Sequence, residues 1–192
     1  NGSNGSTYAD ELIINNCVNN GEIEGDTVAG IIGNSSGNLK LSDCENNGAI
    51  NGRYSAGGIA QCIENKNSNE AEVSNCINNG NVFGGTEAAG IIDYAEGITV
   101  TNCINNGNIS SNGYVGGIFS YTSSVKGTGL VNNGKISGLE DIGGISAYDE
   151  GNSIFSKLYN TGVIDEENIG AQVSNLVKLG ESSTGEELEE EH

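Results

Sequence analysis

Cysteine is the residue type with the widest chemistry in this chain, because a thiol can form a disulfide or bind a metal ion. Four of the five cysteines are the first residue of one pattern, Cys-x-Asn-Asn-Gly-x-Ile/Val: Cys17, Cys44, Cys76 and Cys103. The fifth, Cys62, lies outside the pattern. Two later copies begin with Leu130 and Leu158. Leu can replace a packed thiol but not a metal ligand or a bridge. The pattern therefore favours a column of buried, unbridged cysteines over a disulfide framework or a metal site.

Tyrosines occupy a second recurring position, three residues after an Ile that follows Gly: Tyr94, Tyr121 and Tyr148. Asn34 and Cys62 hold this position in two earlier copies. On stacked coils the three rings would form an aromatic stripe of the kind on which sugars stack. The alternative is a structural column in which each ring covers the next, with offset pairs worth ~0.5–1.5 kcal/mol. If the chain has a ligand-binding face, we expect it to be this stripe.

Other chemistry is sparse in the sequence. His192, the only histidine, is the last residue, so the repeats contain no His-based triad or His metal site. Acidic pairs such as Asp149-Glu150 occur, but none recurs beside the basic residues that polysaccharide-cleaving β-helix enzymes need. Neither the Asp-rich EF-hand loop nor the calcium-binding Gly-Gly-x-Gly-x-Asp nonapeptide is present. We therefore predict no catalytic residue, no metal site, no cofactor and no enzymatic activity.

The pattern repeats with a period of 27 to 32 residues, as the position of its Gly shows: Gly21, Gly48, Gly80, Gly107, Gly134 and Gly162. Each of the first five periods also contains a small residue followed by Gly-Ile: Ala29-Gly30-Ile31, Gly57-Gly58-Ile59, Ala89-Gly90-Ile91, Gly116-Gly117-Ile118 and Gly143-Gly144-Ile145. One period thus holds three short apolar segments separated by turn residues. Such segments suit strands of ~3–6 residues and are too short for helices.

Asn-Asn-Gly fits a corner between two strands, because Asn and Gly tolerate positive φ. A hairpin is the alternative, but paired alternating strands do not flank the motif. On stacked coils the second Asn of each copy would form a ladder of amides that bond from coil to coil and satisfy backbone groups of the corner: Asn20, Asn47, Asn79, Asn106 and Asn133.

Three strands and three corners per period predict a right-handed, three-sided parallel β-solenoid of about six coils of about 27 residues. We expect a flexible lead or cap over residues 1–12, the solenoid over 13–171, and a C-terminal cap with an acidic tail over 172–192. The longest period contains five extra residues, which predict a surface loop in Glu64–Glu70.

The net charge of the chain limits the classes of partner that it can bind. Its formal net charge is −19, from 26 acidic and 7 basic residues, and Arg53 is the only arginine. Nucleic-acid binding requires clustered Lys and Arg, so we expect none. No run approaches the ~18 apolar residues of a membrane span, so we expect no membrane insertion.

The pattern Asn-Gly-x-Ile-x-Gly followed by Gly-Gly-Ile resembles the GLUG-type repeats of bacterial surface proteins, including adhesin-like chains and some immunoglobulin-A-cleaving proteases. Gly30-Ile31-Ile32-Gly33 fits the family's Gly-Leu-x-Gly signature with Ile for Leu, and later copies depart at its last position: Gln61, Asp93, Ser120 and Ala147. The resemblance covers about residues 13–171. It implies a secreted or wall-attached β-solenoid and carries over no catalytic residue.

Two functions follow as expectations. The first is a non-enzymatic extracellular surface module, a spacer or adhesin-like repeat domain of a larger bacterial chain. The alternative is a carbohydrate-binding or carbohydrate-active β-helix module. The expected partner is a host or cell-surface glycan or protein, and a glycan would lie along Tyr94, Tyr121 and Tyr148.

Overall fold

The computed structural model describes residues 11–65 and 71–165. All regular elements in these ranges are β-strands, numbered in chain order. The first coil contains β1 (Leu12–Asn15), β2 (Val18–Asn19), β3 (Ile23–Ala29) and β4 (Ile32–Ser36). The second contains β5 (Leu39–Ser42), β6 (Glu45–Asn46), β7 (Ile50–Gly57) and β8 (Ala60–Glu64). The third contains β9 (Glu72–Ser74), β10 (Ile77–Asn78), β11 (Val82–Gly84), β12 (Glu87–Ala89) and β13 (Ile92–Glu96).

The last coils follow the same plan. The fourth contains β14 (Thr99–Thr101), β15 (Ile104–Asn105), β16 (Ile109–Ser111), β17 (Tyr114–Gly116) and β18 (Phe119–Ser123). The fifth contains β19 (Lys126–Asn132), β20 (Ile136–Ser137), β21 (Ile142–Gly143) and β22 (Ser146–Asp149). A sixth coil begins with β23 (Ile154–Asn160).

The strands stack in register into three parallel sheets. Sheet A has ten strands and contains the strands on both sides of each Cys or Leu position: β1, β2, β5, β6, β9, β10, β14, β15, β19 and β23. Sheet B has eight strands and follows Asn-Asn-Gly: β3, β7, β11, β12, β16, β17, β20 and β21. Sheet C has five strands and follows Gly-Ile: β4, β8, β13, β18 and β22.

The predicted fold class, an all-β, three-sided parallel solenoid, is confirmed. Over residues 11–65 and 71–165 the solenoid has about five turns, compared with about six coils predicted from the whole sequence. The reason is that the last motif copy supplies β23 and one isolated bridge, Ile136↔Ile164, before the described residues end at 165. The predicted cap over 172–192, most of the lead over 1–12 and residues 66–70 of the predicted loop lie outside the described residues.

The residue before each Cys or Leu of the motif bends sheet A. It has left-handed backbone in all six copies, with φ between 53° and 66°: Asn16, Asp43, Asn75, Asn102, Gly129 and Lys157. Asn, Asp and Gly adopt this region at little cost, which explains their choice. The prediction of positive φ within Asn-Asn-Gly is wrong. A Cβ on Gly48 would overlap the carbonyl oxygen of Gly21 one coil away, so this Gly is required for close axial packing.

The interior is divided into two apolar clusters. Cys44 and Ile59 lie in the larger cluster, whereas Ile50 and Ala56 lie in a smaller one between the two arms of sheet B. The chain therefore leaves the larger cluster at Asn-Asn-Gly and returns to it at Gly-Ile. These two passages touch, because a Cβ on Gly58 would lie 2.6 Å from Cγ of Asn78. The two most regular motifs of the sequence form one waist between the clusters.

The first Asn of each motif fills that waist as a continuous ladder, which is half-buried at Asn19 and buried from Asn46 onward. Each side-chain amide donates to Oδ1 of the next Asn at 2.7–2.8 Å, in the order Asn19, Asn46, Asn78, Asn105, Asn132 and Asn160. Each also donates to the carbonyl of the Gly two residues later, as Asn78 does to Gly80 at 2.8 Å. These bonds satisfy buried polar groups that would otherwise destabilise the corner.

The ladder predicted from the second Asn also exists, but on the surface. Asn47, Asn79, Asn106 and Asn133 each donate to Oδ1 of the preceding member at 2.8–3.0 Å, and Thr161 replaces Asn in the last coil. These side chains are exposed. The expectation that they satisfy buried corner groups is therefore wrong, because the first Asn performs that role.

Candidate functional site

Sheet C places the three predicted tyrosines in one column on the outside of the solenoid. Tyr94 of β13 pairs with Tyr121 of β18, which pairs with Tyr148 of β22. Cys62 and Asn34 continue the same register in β8 and β4. The three tyrosines, which share one repeat position in the sequence, are thus neighbours in the structure.

The tyrosine rings stack on one another. The centroids of Tyr94 and Tyr121 are 4.6 Å apart with planes 7° from parallel, and those of Tyr121 and Tyr148 are 5.4 Å apart at 30°. Each pair covers the ring faces between its members. A sugar therefore cannot stack on several faces at once, and that part of the expectation is corrected. Ring edges and phenol groups remain for contact, and Tyr148 is 41% exposed. The ligand-binding role of the column stays a prediction.

A column of carboxylates runs beside the tyrosines. Glu64 and Glu96 are partners in register, Ser123 continues their position, and Glu150 follows Asp149 in the fifth coil. The phenol of Tyr94 donates to Oε2 of Glu96 at 3.0 Å. We call the six residues Tyr94, Tyr121, Tyr148, Glu64, Glu96 and Glu150 the tyrosine–glutamate stripe. From the sequence, Glu150 was noted only as part of the acidic pair Asp149-Glu150, and none of the three carboxylates was named as a site residue, since only the register shows that they share a column.

Two phenols of the stripe, those of Tyr94 and Tyr121, have raised pKa values. Burial, together with the bond to Glu96, raises the pKa of Tyr94. Burial and a hydrogen bond with Glu150 raise the pKa of Tyr121 to about 12. Each of these two phenols thus remains a proton donor toward a carboxylate at neutral pH. No Lys or Arg occurs in β4, β8, β13, β18 or β22, so the strands of sheet C contribute only negative charge.

A buried carboxylic acid lies where sheets B and C meet. Asp93 is 0% exposed although it belongs to neither apolar cluster. Ser120 donates to its Oδ1, and Gln61 donates to its Oδ2 at 3.3 Å. Burial raises the pKa of Asp93 to about 7, with bonds from Ser120 opposing the shift and the charge of Glu87 adding to it.

Sequence reasoning noted Gln61, Asp93 and Ser120 only as departures from a Gly signature. A usable signal was present, since three consecutive coils place a polar residue two positions after a buried Ile. Glu87 accepts from Ser55 at 3.3 Å, and Ser55 also bonds Asp93, so two carboxyl groups share one hydroxyl. A raised pKa beside a second carboxylate is a frequent property of catalytic acids. Asp93 is fully buried, however, and its carboxyl group is bonded by Ser120 and Gln61.

The cysteines are all free, as expected from the sequence. Cys44, Cys76 and Cys103 are buried, and each thiol donates to the carbonyl two residues earlier at 3.1–3.4 Å. Cys17 is exposed, which corrects the prediction that all four stacked thiols are buried. Among the described residues, the strand that follows Cys17 pairs with a neighbouring coil on one side only, so no second coil covers this thiol. Burial raises the pKa of Cys44 and of Cys62 to about 11.

Within residues 11–65 and 71–165, no group of three or more His, Cys, Asp or Glu side chains could hold a metal ion. The same ranges contain no helix long and apolar enough to cross a membrane. The chain matches no family model, no curated protein and no solved structure.

Proposed function

We propose that this chain is a non-enzymatic structural module, a spacer or adhesin-like stalk segment of a larger bacterial surface protein. The observation that supports the proposal is the buried ladder, which runs from Asn19 to Asn160 with side-chain bonds of 2.7–2.8 Å in every coil. Among the described residues, every buried side-chain N or O atom has a hydrogen-bond partner. The extracellular, bacterial setting rests on the sequence resemblance alone.

This construction suits a spacer because its length is set by the number of coils. Each coil adds about 4.8 Å along the axis, and the same ladder contacts join every pair of neighbours. A force along the axis is therefore shared by parallel hydrogen bonds in three sheets and two amide ladders. Coils can be added or lost without disturbing a unique active site.

Single-molecule pulling of the chain through its two ends tests the spacer. We expect the molecule to keep its length at low force and then to lengthen in abrupt, cooperative steps as coils detach. A flexible Gly/Ser chain of equal length is the control, since it extends smoothly from the lowest force. If the solenoid extends as the control does, the spacer proposal is wrong.

Carbohydrate binding is the second candidate, and the tyrosine–glutamate stripe favours it. Its residues recur on an outward column where core packing does not require them, and phenols beside carboxylates suit the hydroxyl groups of sugars. A glycan-array screen tests this function, with a variant in which Tyr94, Tyr121 and Tyr148 are all Ala. We expect the variant to keep its β-sheet circular dichroism and to lose the signal. Equal binding by the variant would mean that the rings are only a structural column.

A further inference from the structure

The Asn-Gly pairs of the chain have a chemistry of their own. The backbone nitrogen that follows an Asn can attack the carbon of the Asn side-chain amide, and Gly hinders this attack least because it has no Cβ. The two groups must move toward each other, so hydrogen bonds that hold either of them oppose the reaction. Seven such pairs lie within the described residues: Asn20-Gly21, Asn47-Gly48, Asn51-Gly52, Asn79-Gly80, Asn106-Gly107, Asn112-Gly113 and Asn133-Gly134.

Five of the seven pairs are held by the surface ladder. The Oδ1 atom of each of their Asn side chains accepts a hydrogen bond from the next coil, at 2.6–3.0 Å. The backbone is tied as well, since the N–H groups of Asn79 and Gly80 both donate to the carbonyl of Asn46, at 2.7 and 3.2 Å. A Cβ on Gly80 would overlap the carbonyl oxygen of Gly48, so the coils are in contact here. Attack at these pairs therefore requires neighbouring coils to separate.

The sixth pair, Asn51-Gly52, is held inside a strand. Both residues belong to β7, which pairs with β3 on one side and with β11 on the other. The side-chain amide of Asn51 also donates to Oε1 of Glu22 at 2.8 Å. Attack at this pair would have to break the sheet on the two sides of β7.

Asn112-Gly113 is the exception among the seven. The pair forms the bend between β16 and β17 and belongs to neither strand. Asn112 is exposed, and within residues 11–65 and 71–165 its side-chain amide has no hydrogen-bond partner. The N–H of Gly113 donates to Oγ of Ser111 at 3.1 Å, a side chain next to the bend rather than a group of another coil. Reaction here requires the loss of one local hydrogen bond and no separation of coils.

We propose that Asn112 is a site of spontaneous deamidation in the folded solenoid, whereas the ladder and strand sites are protected. The nitrogen of Gly113 forms a bond to Cγ of Asn112 and releases its proton to water. The bond between Cγ and Nδ2 breaks, ammonia leaves, and a succinimide ring remains. Water adds to either carbonyl of the ring and opens it to aspartate or isoaspartate. The net reaction consumes one water and releases one ammonia, without oxidation or reduction.

The product adds a negative charge beside an existing carboxylate. A Cβ on Gly113 would lie 3.7 Å from Oε2 of Glu140, which belongs to the next coil. A carboxylate at position 112 therefore faces like charge across the junction of the fourth and fifth coils. Isoaspartate also lengthens the backbone of the bend by one carbon atom. We expect these two coils to be held together less firmly after the reaction.

Incubation of the full chain at mildly alkaline pH, followed by peptide mapping with mass spectrometry, tests the proposal site by site. In the native chain we expect Asn112 to convert at least about tenfold faster than each of the other six sites, because those sites react only after local opening. The chain unfolded in urea is the control, in which all seven sites should convert at similar rates. Asn1 and Asn4, which also precede Gly, lie outside the described residues and are scored separately.

Two results of this comparison would overturn the proposal. One is a native ladder or strand site that converts as fast as Asn112. The other is an Asn112 that stays intact in the native chain while it converts in urea, which would show that the bend itself holds the two groups apart.

The variant Thr161→Val tests whether the ladder bonds are what protects the other sites. It removes the hydroxyl that donates to Oδ1 of Asn133 at 2.6 Å and keeps the size of the side chain. We expect conversion of Asn133 in the native chain to become at least about twofold faster and that of Asn112 to stay the same. An unchanged rate at Asn133 would refute the reasoning that distinguishes Asn112 from the ladder sites.

The variant Asn112→Gln tests the consequence for stability. Its longer side chain closes the corresponding ring far more slowly and keeps the neutral amide. Gly113→Ala is not suitable, because its Cβ would overlap the carbonyl oxygen of Thr86. After equal incubation we expect the wild type to melt at a lower temperature than Asn112→Gln, whereas the two fresh proteins melt alike. Equal melting of the two incubated proteins would refute the predicted loosening of the fourth and fifth coils.

Discussion

Replacing Asn78 with Ala is expected to destabilise the solenoid far more than replacing its neighbour Asn79 with Ala. The two residues have the same chemistry and the same number of side-chain hydrogen bonds. Asn78 is 0% exposed, donates to Gly80 and Asn105 at 2.8 Å, and accepts from Asn46 at 2.7 Å. Asn79 is exposed, donates to Glu45 at 2.8 Å and Asn47 at 2.9 Å, and accepts from Asn106 at 2.8 Å.

The magnitude follows from what water can replace. Asn78→Ala leaves an N–H of Asn46 and an oxygen of Asn105 buried without their partner, and it opens a cavity in the waist. Each such orphaned group costs about 1–3 kcal/mol, so the free energy of unfolding should fall by about 2–6 kcal/mol from these two groups, and the cavity adds to the loss. That is a large share of the ~5–15 kcal/mol typical of a folded domain. In Asn79→Ala, water hydrates the freed groups and the loss should stay below about 1 kcal/mol.

Urea unfolding followed by circular dichroism measures both variants against the wild type. The comparison needs equal m-values, which show that the same surface unfolds in each protein. The reasoning is refuted if Asn79→Ala costs as much as Asn78→Ala, or if Asn78→Ala costs under about 1 kcal/mol. Either result would mean that the buried ladder is not what holds neighbouring coils together.

Three further predictions concern the buried acid, the waist and the thiols. Because the pKa of Asp93 is raised to about 7, between about pH 4 and 7 the folded chain holds a proton that the unfolded chain has lost. The free energy of unfolding should therefore fall over that range and stay constant above it. Asp93→Asn should remove this pH dependence in urea titrations, and an unchanged pH dependence would contradict the prediction. Gly117→Ala should cost several kcal/mol, since its Cβ would lie 2.6 Å from Cγ of Asn132, whereas Gly33→Ala, with no atom within 4 Å, should be neutral in thermal melts; similar melting shifts would refute this account of the waist. In thiol titration of the native chain Cys17 should react first and the count should reach five only on unfolding, and fewer than five then would indicate bridges.

The repeat period was enough to predict the fold because every coil of a solenoid is subject to the same packing constraints. The Gly in Asn-Asn-Gly and the Gly in Gly-Ile recur since coils approach too closely for a Cβ at either. Their actual reason, axial contact, differs from the positive φ expected at the corner. The sequence shows that a residue is required at a position, but not which steric demand requires it.

The burial of the two asparagines could not be read from their spacing, because both recur in the same register. One copy does distinguish them, since the last motif keeps Asn160 and replaces the second Asn with Thr161. Thr161 still bonds Asn133 at the surface, whereas Asn160 continues the buried ladder. The position that tolerates a shorter hydroxyl side chain is the one that water can reach.

The tyrosines of the candidate site could be predicted from the sequence, but their neighbours could not, for a related reason. Outward columns are read from register, which brought Tyr94, Tyr121 and Tyr148 together as expected. Their stacking, the acids beside them and the burial of Asp93 depend on how far apart coils lie and how sheets B and C meet, neither of which spacing along the chain reports.

Inward and outward positions of such a solenoid are under different physical demands. This difference indicates which residues are required for folding and which could serve binding. An inward residue must fit the coils above and below, so Cys, Leu and Ile recur there and carry no information about partners. An outward residue must only avoid conflict with its neighbours, and Asn34 and Cys62 show that sheet C folds without tyrosine at this position. Each stacked ring pair stabilises the folded chain by ~0.5–1.5 kcal/mol, and the phenol hydroxyls do not increase this stacking energy. Phe would give the same ring stack but would lose the hydrogen bond from the Tyr94 phenol to Glu96. The presence of Tyr in all three coils, with the phenols of Tyr94 and Tyr121 bonded to carboxylates, is the reason to look for a ligand on sheet C before any other face.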